Sequence, residues 1–278
     1  MKEIENVIDD SCDGLTVKEY LSRQGFSVTL IKRVKYGGIT VDGKPVTVRH
    51  RLKRCEVIKI SLPSAKNESI PPIDIPIDVI YEDEYFLAAA KPKNMPTHPS
   101  RGNSLPTLAN AVMAKYGEDF VFRAVNRLDR DTSGVVLIAK DAYTAAKMAS
   151  DMKKGSYEKV YQALVVGVPS RASGIINAPI ERESPDSIKR CVRADGKSAI
   201  TEYEVIESRG DSSLLSVRPR SGRTHQIRVH LSYIGHALVG DFLYGERSDS
   251  GYFLNCSEIK FPHPITREII TVKSPIKF

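Results

Sequence analysis

Residues 125–139 read Val125-Asn126-Arg127-Leu128-Asp129-Arg130-Asp131-Thr132-Ser133-Gly134-Val135-Val136-Leu137-Ile138-Ala139. The last five form a continuous apolar run, which reads as a buried strand. The segment before it crowds four charged side chains, Arg127, Asp129, Arg130 and Asp131, into a turn. Reactive groups usually sit on such loops, held by a rigid element behind them. A carboxylate flanked by arginines stays ionised, which suits a nucleophile rather than a proton donor. A surface turn of mutually paired ions would show the same pattern. The rest of the chain has to decide between the two.

Beyond the strand, Asp141 caps a predicted helix whose Ala145, Met148, Ala149 and Met152 fall at i, i+3, i+4 and i+7. Before it, Val79-Ile80-Tyr81 and residues 85–90 read as strands around an Asp83-Glu84 turn, and Leu105 to Tyr116 as a helix. Further strands are predicted at about 158–166, 199–207 and 213–218. A helix at about 223–234 puts Ile227, Leu231 and Ile234 on one face, with Gly235 as its stop. Strands without regular βαβ spacing predict an α+β fold with a mixed, mainly antiparallel sheet, not a doubly wound one.

The chain has 278 residues, 41% hydrophobic and 27% charged, enough to bury a core and too ordered in composition for wholesale disorder. It has no run of about 18 apolar residues, so no membrane span is expected. Its first residues lack the apolar core of a signal peptide. Cys12, Cys55, Cys191 and Cys256 are scattered, which argues against a disulfide scaffold or zinc ribbon and fits a reducing cytoplasm. A monomer is expected.

The net charge is +7, and residues 12–61 alone, with 11 basic against 4 acidic side chains, also carry +7. Such a concentration suits a polyanion partner. Residues 62–76 hold four prolines among polar residues and read as a semi-stiff linker between a small module, 1–61, and a larger body, 77–278. In the module, Thr16 and Ser27 are predicted to cap helices over 17–24 and about 28–36, the second carrying Lys32, Arg33 and Lys35. Ile39-Thr40-Val41 runs into an Asp42-Gly43 turn, and Val57 to Ile60 is a closing strand. Two short helices, a Gly-rich turn and the stretch Ile39-Thr40-Val41-Asp42-Gly43-Lys44-Pro45-Val46 resemble the small αβ RNA-binding domain of the ribosomal-protein-S-four type. The resemblance implies that Lys32, Arg33 and Lys35 lie on RNA backbone.

Two further segments carry chemistry-bearing residues. Residues 221–230 read Ser-Gly-Arg-Thr-His-Gln-Ile-Arg-Val-His; Arg223 would stand near a helix N-terminus, while His225 and His230, without metal-pair spacing, are expected to cap and to pack. Residues 158–167 place Tyr161 in mid-strand, where packing is usual and a base-stacking role is open to an RNA enzyme.

Together these segments resemble the RluA-type RNA pseudouridine synthases. The family's Arg-Leu-Asp-(Arg/Lys)-Asp-Thr-Ser-Gly is matched by residues 127–134, its Lys-x-Tyr-x-Ala-Leu-Val-x-Gly by 159–167, and its Gly-Arg-Thr-His-Gln-Ile-Arg-Val-His-Leu by 222–231. Gly240-Asp241 with Tyr244-Gly245, Lys91-Pro92 with His98-Pro99, and Phe261-Pro262-His263-Pro264 match its remaining patterns. The resemblance implies isomerisation of uridine in RNA, in large-subunit ribosomal RNA first and tRNA as the alternative, without cofactor or metal. It implies that Asp129 is catalytic, by attack on the anomeric carbon or by removal of a sugar proton. It further implies that Tyr161 packs on the target base, that Arg223 pairs with the aspartate, and that Arg127 fills the gap left by the flipped nucleotide. Asn126 stands where the family commonly has His, Ser221 where it often has Thr, and Ala88-Ala89-Ala90 where its strand is more apolar. A non-catalytic RNA-binding protein of the same fold is the main rival. A glycoside hydrolase would need a second carboxylate as proton donor, which the motifs do not supply.

Overall fold

Alternating and continuous apolar patterns build a small sheet, a large sheet and a two-stranded hairpin among the described residues. The computed structural model describes residues 2–62, 70–99, 106–117, 119–248 and 251–276. The first sheet uses β1 (Lys2–Val7), β2 (Ile39–Val41), β3 (Lys44–Pro45) and β4 (Val57–Leu62), antiparallel in the order β1-β4-β2-β3. Along β4, Ile58, Ile60 and Leu62 alternate inward, the period-2 pattern of a half-buried strand.

Helix α1 (Val17–Arg23) opens on a reciprocal cap: the Thr16 hydroxyl accepts the Glu19 N–H, and the Glu19 carboxylate accepts the Thr16 N–H. Helix α2 (Val28–Val34) opens on Ser27, whose hydroxyl accepts the Leu30 N–H. It buries Leu30, Ile31 and Val34, so Lys32 and Arg33 point outward. Strand β1 has no clear signal in the sequence, because residues 3–7 bury no continuous face, and the strand is held by its ladder to β4.

The body contributes β5 (Asp78–Glu82), β6 (Phe86–Lys91), α3 (Leu108–Tyr116), β7 (Ser133–Ala139), α4 (Ala142–Lys153), β8 (Glu158–Val166), β9 (Ser173–Asn177), β10 (Ile180–Arg182), β11 (Arg190–Val192), β12 (Ile200–Arg209), β13 (Ser212–Pro219), α5 (Gln226–Tyr233), β14 (Leu254–Pro262) and β15 (Ile269–Lys273). Among the described residues, the large sheet runs β5-β6-β7-β14-β8-β13-β12-β9, with β15 on β14 and β10-β11 as a separate hairpin. Its pairings are antiparallel except β14 with β7, so the mixed, mainly antiparallel α+β architecture is as expected.

The buried run is β7, fully covered on both faces. Its parallel contact requires glycine at 134: that residue sits at φ +114°, and a Cβ there would collide with the backbone of Cys256. Every residue of β6 is buried too; its Ala88-Ala89-Ala90 run lies between β5 and β7.

Of the expected linker, Leu62 ends β4, residues 63–69 lie outside the described residues, and the remainder touches the body. Ile70 is buried in the main core, and Asn110 in α3 donates its side-chain N–H to the Pro71 carbonyl. The small sheet's core continues onto α4, where Ala142, Tyr143 and Ala146 pack against it and the Phe26 and Tyr143 rings lie 4.8 Å apart. Helix α5 begins at Gln226, three residues later than expected, because His225 takes a left-handed conformation at φ 57° and ends the preceding turn.

Candidate active site

Asp129 lies five residues before Gly134, on the loop that feeds β7, and its side chain is 35% exposed. The loop is tied on both sides of it. Before it, Leu128 is bonded through both backbone groups to the buried Thr97 hydroxyl. After it, the Arg130 carbonyl accepts from the Met95 N–H at 3.1 Å and from Lys91 Nζ at 3.0 Å. Lys91 is fully buried at the end of β6 and also donates to the Pro92 and Met95 carbonyls, so three acceptors meet its three N–H groups. Burial pulls its pKa down to about 7, against the pull of Asp129 and Asp131 in the other direction.

Asn126 is 93% covered and acts on the backbone: its amide donates to the Val135 carbonyl at 3.0 Å and accepts the Leu137 N–H at 2.8 Å. It stitches the incoming segment to the edge of β7. The position that departs from the family's usual His is thereby a strand fastener.

The cation beside Asp129 is Arg228. Its Nη1 lies 3.6 Å from Asp129 Oδ2, and Nε2 of His225 lies 3.8 Å from the same oxygen. The expectation that Arg223 makes this pair is corrected. Arg223 precedes the left-handed turn at His225, and its Nε donates to the Ser198 carbonyl. Arg228, in the first turn of α5, projects into the site. Its other side is fixed by two parallel bonds of 2.7 Å to the fully buried Asp241, and its guanidinium carbon lies 4.4 Å from the Tyr252 ring centre. Burial works against that charge, yet the bonds to Asp241, with Tyr252 and Asp129 nearby, hold the Arg228 pKa above the ordinary guanidinium value.

Neither Arg228 nor Asp241 stands out from sequence as a site residue. The available signal was an arginine next to the apolar face of a predicted helix, where burial demands a carboxylate partner.

Tyr161 is reached across the sheet. In β8 it stands opposite Cys256 of β14, which in turn stands opposite Gly134 of β7. It is half-buried and packs against two core clusters of the body at once. Burial, with Cys256 and Asp129 beside it, pushes its phenol well above the ordinary range. Arg127 is exposed on the loop two residues before Asp129. Lys32, Arg33 and Lys35 belong to the small module, with Lys35 Nζ 4.5 Å over the ring of the exposed Tyr36.

His230 is fully buried and bonds Thr201 Oγ1 and the Ala178 carbonyl, a packing role as expected. His225 occupies the cap position of α5 but makes no side-chain cap bond; its ring faces Asp129 instead. Among the described residues, no three His, Cys, Asp or Glu side chains come together as metal ligands.

A family model described as RNA pseudouridylate synthase matches residues 85–233. The chain is 35% identical over 270 residues to YjbO of Bacillus subtilis (strain 168), an uncharacterised RNA pseudouridine synthase, across 94% of this chain and 95% of that one. It is 32% identical over 262 residues to the ribosomal large subunit pseudouridine synthase D of Xanthomonas campestris, across 87% of this chain and 79% of that one. Its fold is similar to that of human RNA Pseudouridylate Synthase Domain Containing 1, with a TM-score of 0.62 and 26% identity over 72% of this chain and 84% of that chain.

Proposed function

Because the chain belongs to the RNA pseudouridine synthase family, a family of isomerases that act on RNA, we propose that Asp129 is the carboxylate with which it converts uridine to pseudouridine. The observation that carries this reading is the approach of Arg228 to Asp129 at 3.6 Å while Asp241 locks Arg228 from behind. A partly exposed carboxylate, clamped at both neighbouring residues and faced by a fixed cation, is pre-organised to meet a sugar carbon.

In the reaction the bond from the anomeric carbon to the base nitrogen breaks, the uracil turns, ring carbon 5 takes the sugar and gives up its proton, and the freed ring nitrogen takes up a proton. Substrate and product are isomers, so there is no net oxidation or reduction, and this reading routes no step through a cofactor or metal. Asp129 either attacks the anomeric carbon or removes a sugar proton to give a glycal; both routes begin from the same carboxylate position. The uridine must leave its stack, at a cost of a few kcal/mol, roughly. The ring of Tyr161 offers a face to the base, and insertion of Arg127 into the gap would offset that cost. The pairing role passes from Arg223 to Arg228.

We assign residues 1–61 to RNA binding, 62–76 to a connecting segment and 77–278 to catalysis, with Lys32, Arg33 and Lys35 on RNA phosphates. Large-subunit ribosomal RNA is the proposed substrate, on the likeness to the Xanthomonas campestris enzyme whose name specifies it.

The test is tritium release from unmodified large-subunit ribosomal RNA and tRNA transcripts carrying uridine labelled at carbon 5. Wild-type protein should release tritium from the ribosomal transcript, and Asp129→Ala and Asp129→Asn should release none while still binding RNA. Turnover by either variant removes Asp129 from the mechanism; release from tRNA alone moves the substrate.

A further inference from the structure

One hydroxyl next to the site touches more of it than the chemistry above uses. Tyr244 Oη lies 2.8 Å from the Arg190 backbone nitrogen and 2.9 Å from Nδ1 of His225. The Arg190 N–H can only donate, so Tyr244 Oη accepts there. The phenol proton is then free to go to His225 Nδ1. A histidine that accepts at Nδ1 carries its own proton on Nε2, and Nε2 is the nitrogen that faces Asp129 at 3.8 Å.

The same ring also supports Arg228, whose guanidinium carbon is 5.0 Å from the Tyr244 centroid. Tyr244 therefore contacts both groups that face Asp129. The His225 and Tyr244 rings meet edge to face, at 5.7 Å and 80°.

The backbone supports the same assignment. His225 is held at φ 57°, a conformation that a side-chain-bearing residue adopts at a cost and keeps only when its surroundings impose it. It gains no cap bond to α5 in return. What it gains is a ring aimed at Asp129 and latched by Tyr244. Arg190, the third partner, opens β11 of the small hairpin, and α5 packs against that strand.

We propose that Tyr244 is a positioning residue for the isomerisation, fixing the tautomer and direction of His225 and thereby a second N–H donor towards the Asp129 oxygen that Arg228 also faces. The inference rests on the reading of Asp129 as the reacting carboxylate. The chain of contacts is Arg190 N–H to Tyr244, Tyr244 O–H to His225, and His225 Nε2–H towards Asp129. Because it is serial, breaking either of its two side-chain members should lose the same effect once.

Single-turnover rate constants and RNA dissociation constants, measured on the tritiated large-subunit ribosomal RNA transcript, test this with Tyr244→Phe, His225→Ala and the double variant. Tyr244→Phe keeps the ring and removes one hydroxyl. Each single variant should slow the step about tenfold, the worth of one hydrogen bond, with RNA affinity within about twofold of wild type. The double variant should be no slower than His225→Ala. His225→Gln, which restores an N–H donor, should recover part of the loss. An unchanged rate in Tyr244→Phe, or losses that multiply in the double variant, overturns the proposal. If Tyr244→Phe does not fold, the His225 pair decides, and equal rates for Gln and Ala overturn it. Asp129→Asn, run alongside, separates the two readings. Turnover there sinks the catalytic carboxylate itself, whereas a dead Asp129→Asn with a fully active Tyr244→Phe sinks the relay alone.

Discussion

The Thr97 hydroxyl closes on Leu128 from both directions, donating to its carbonyl at 2.9 Å and accepting its N–H at 3.1 Å. One side chain thus satisfies both backbone groups of the residue that precedes Asp129, in a place 96% covered from solvent. Thr97→Val keeps the shape and removes the oxygen, leaving a buried N–H and C=O without partners. Stability should fall by about 1–3 kcal/mol in urea titrations. Turnover at saturating RNA should fall about tenfold as Asp129 loosens, and Thr97→Ser should restore most of both. Equal defects in the Ser and Val variants would mean that the methyl group, not the hydroxyl, holds the loop.

Arg228 and Arg223 should separate sharply. Arg228→Lys keeps a positive charge but gives up the two-pronged grip on Asp241. A cation displaced by about 1 Å costs on the order of 100-fold in rate. Arg228→Ala additionally strands the buried Asp241 carboxylate, a loss of about 3–5 kcal/mol. Arg223→Lys should leave turnover largely intact, since its guanidinium answers to the Ser198 carbonyl. Steady-state rates of the three variants on one transcript decide the matter, and a dead Arg223→Lys would restore the assignment drawn from sequence.

Lys91 gives a pH signature. Its ordinary pKa of 10.5 falls to about 7 in the folded chain because of burial. Between those values the unfolded chain holds a proton that the folded chain does not, so this residue's contribution to stability rises with pH. Its unfavourable contribution is complete below about 7 and is relieved progressively towards 10.5. Urea midpoints of wild type and Lys91→Met at pH 6, 7, 8 and 9 should show a gap that is flat at first and then grows in favour of wild type. A gap constant across the series would refute the shift.

Lys32, Arg33 and Lys35 should act on binding and not on chemistry. Replacing all three by Ala should weaken RNA affinity. It should also flatten the salt dependence, by about 0.7–0.9 in log–log slope for each phosphate left without its cation. The rate at saturating RNA should hold. An unchanged slope would show that α2 and its C-terminal cap present these side chains to something other than RNA.

Much of this was legible along the chain. The caps at Thr16, Ser27 and Asp141, the buried run 135–139 and the turn at Asp42-Gly43 depend on neighbours a few residues away, which sequence order itself supplies. The ordered motifs pointed to the family and placed Asp129 on the loop before β7. What the chain order could not supply was which of two arginines, five residues apart, reaches that carboxylate. That was settled by the left-handed turn at His225, which starts α5 late and sends Arg228 inward, and by Asp241 lying where a buried guanidinium needs a counter-charge. The clamps from Thr97 and Lys91 are of the same kind: hydrogen bonds spanning 31 and 39 residues, invisible until β6 and β7 lie side by side. Local chemistry is written in local order, whereas the partners of a buried charge or backbone group are chosen by whatever the sheet brings within about 3 Å.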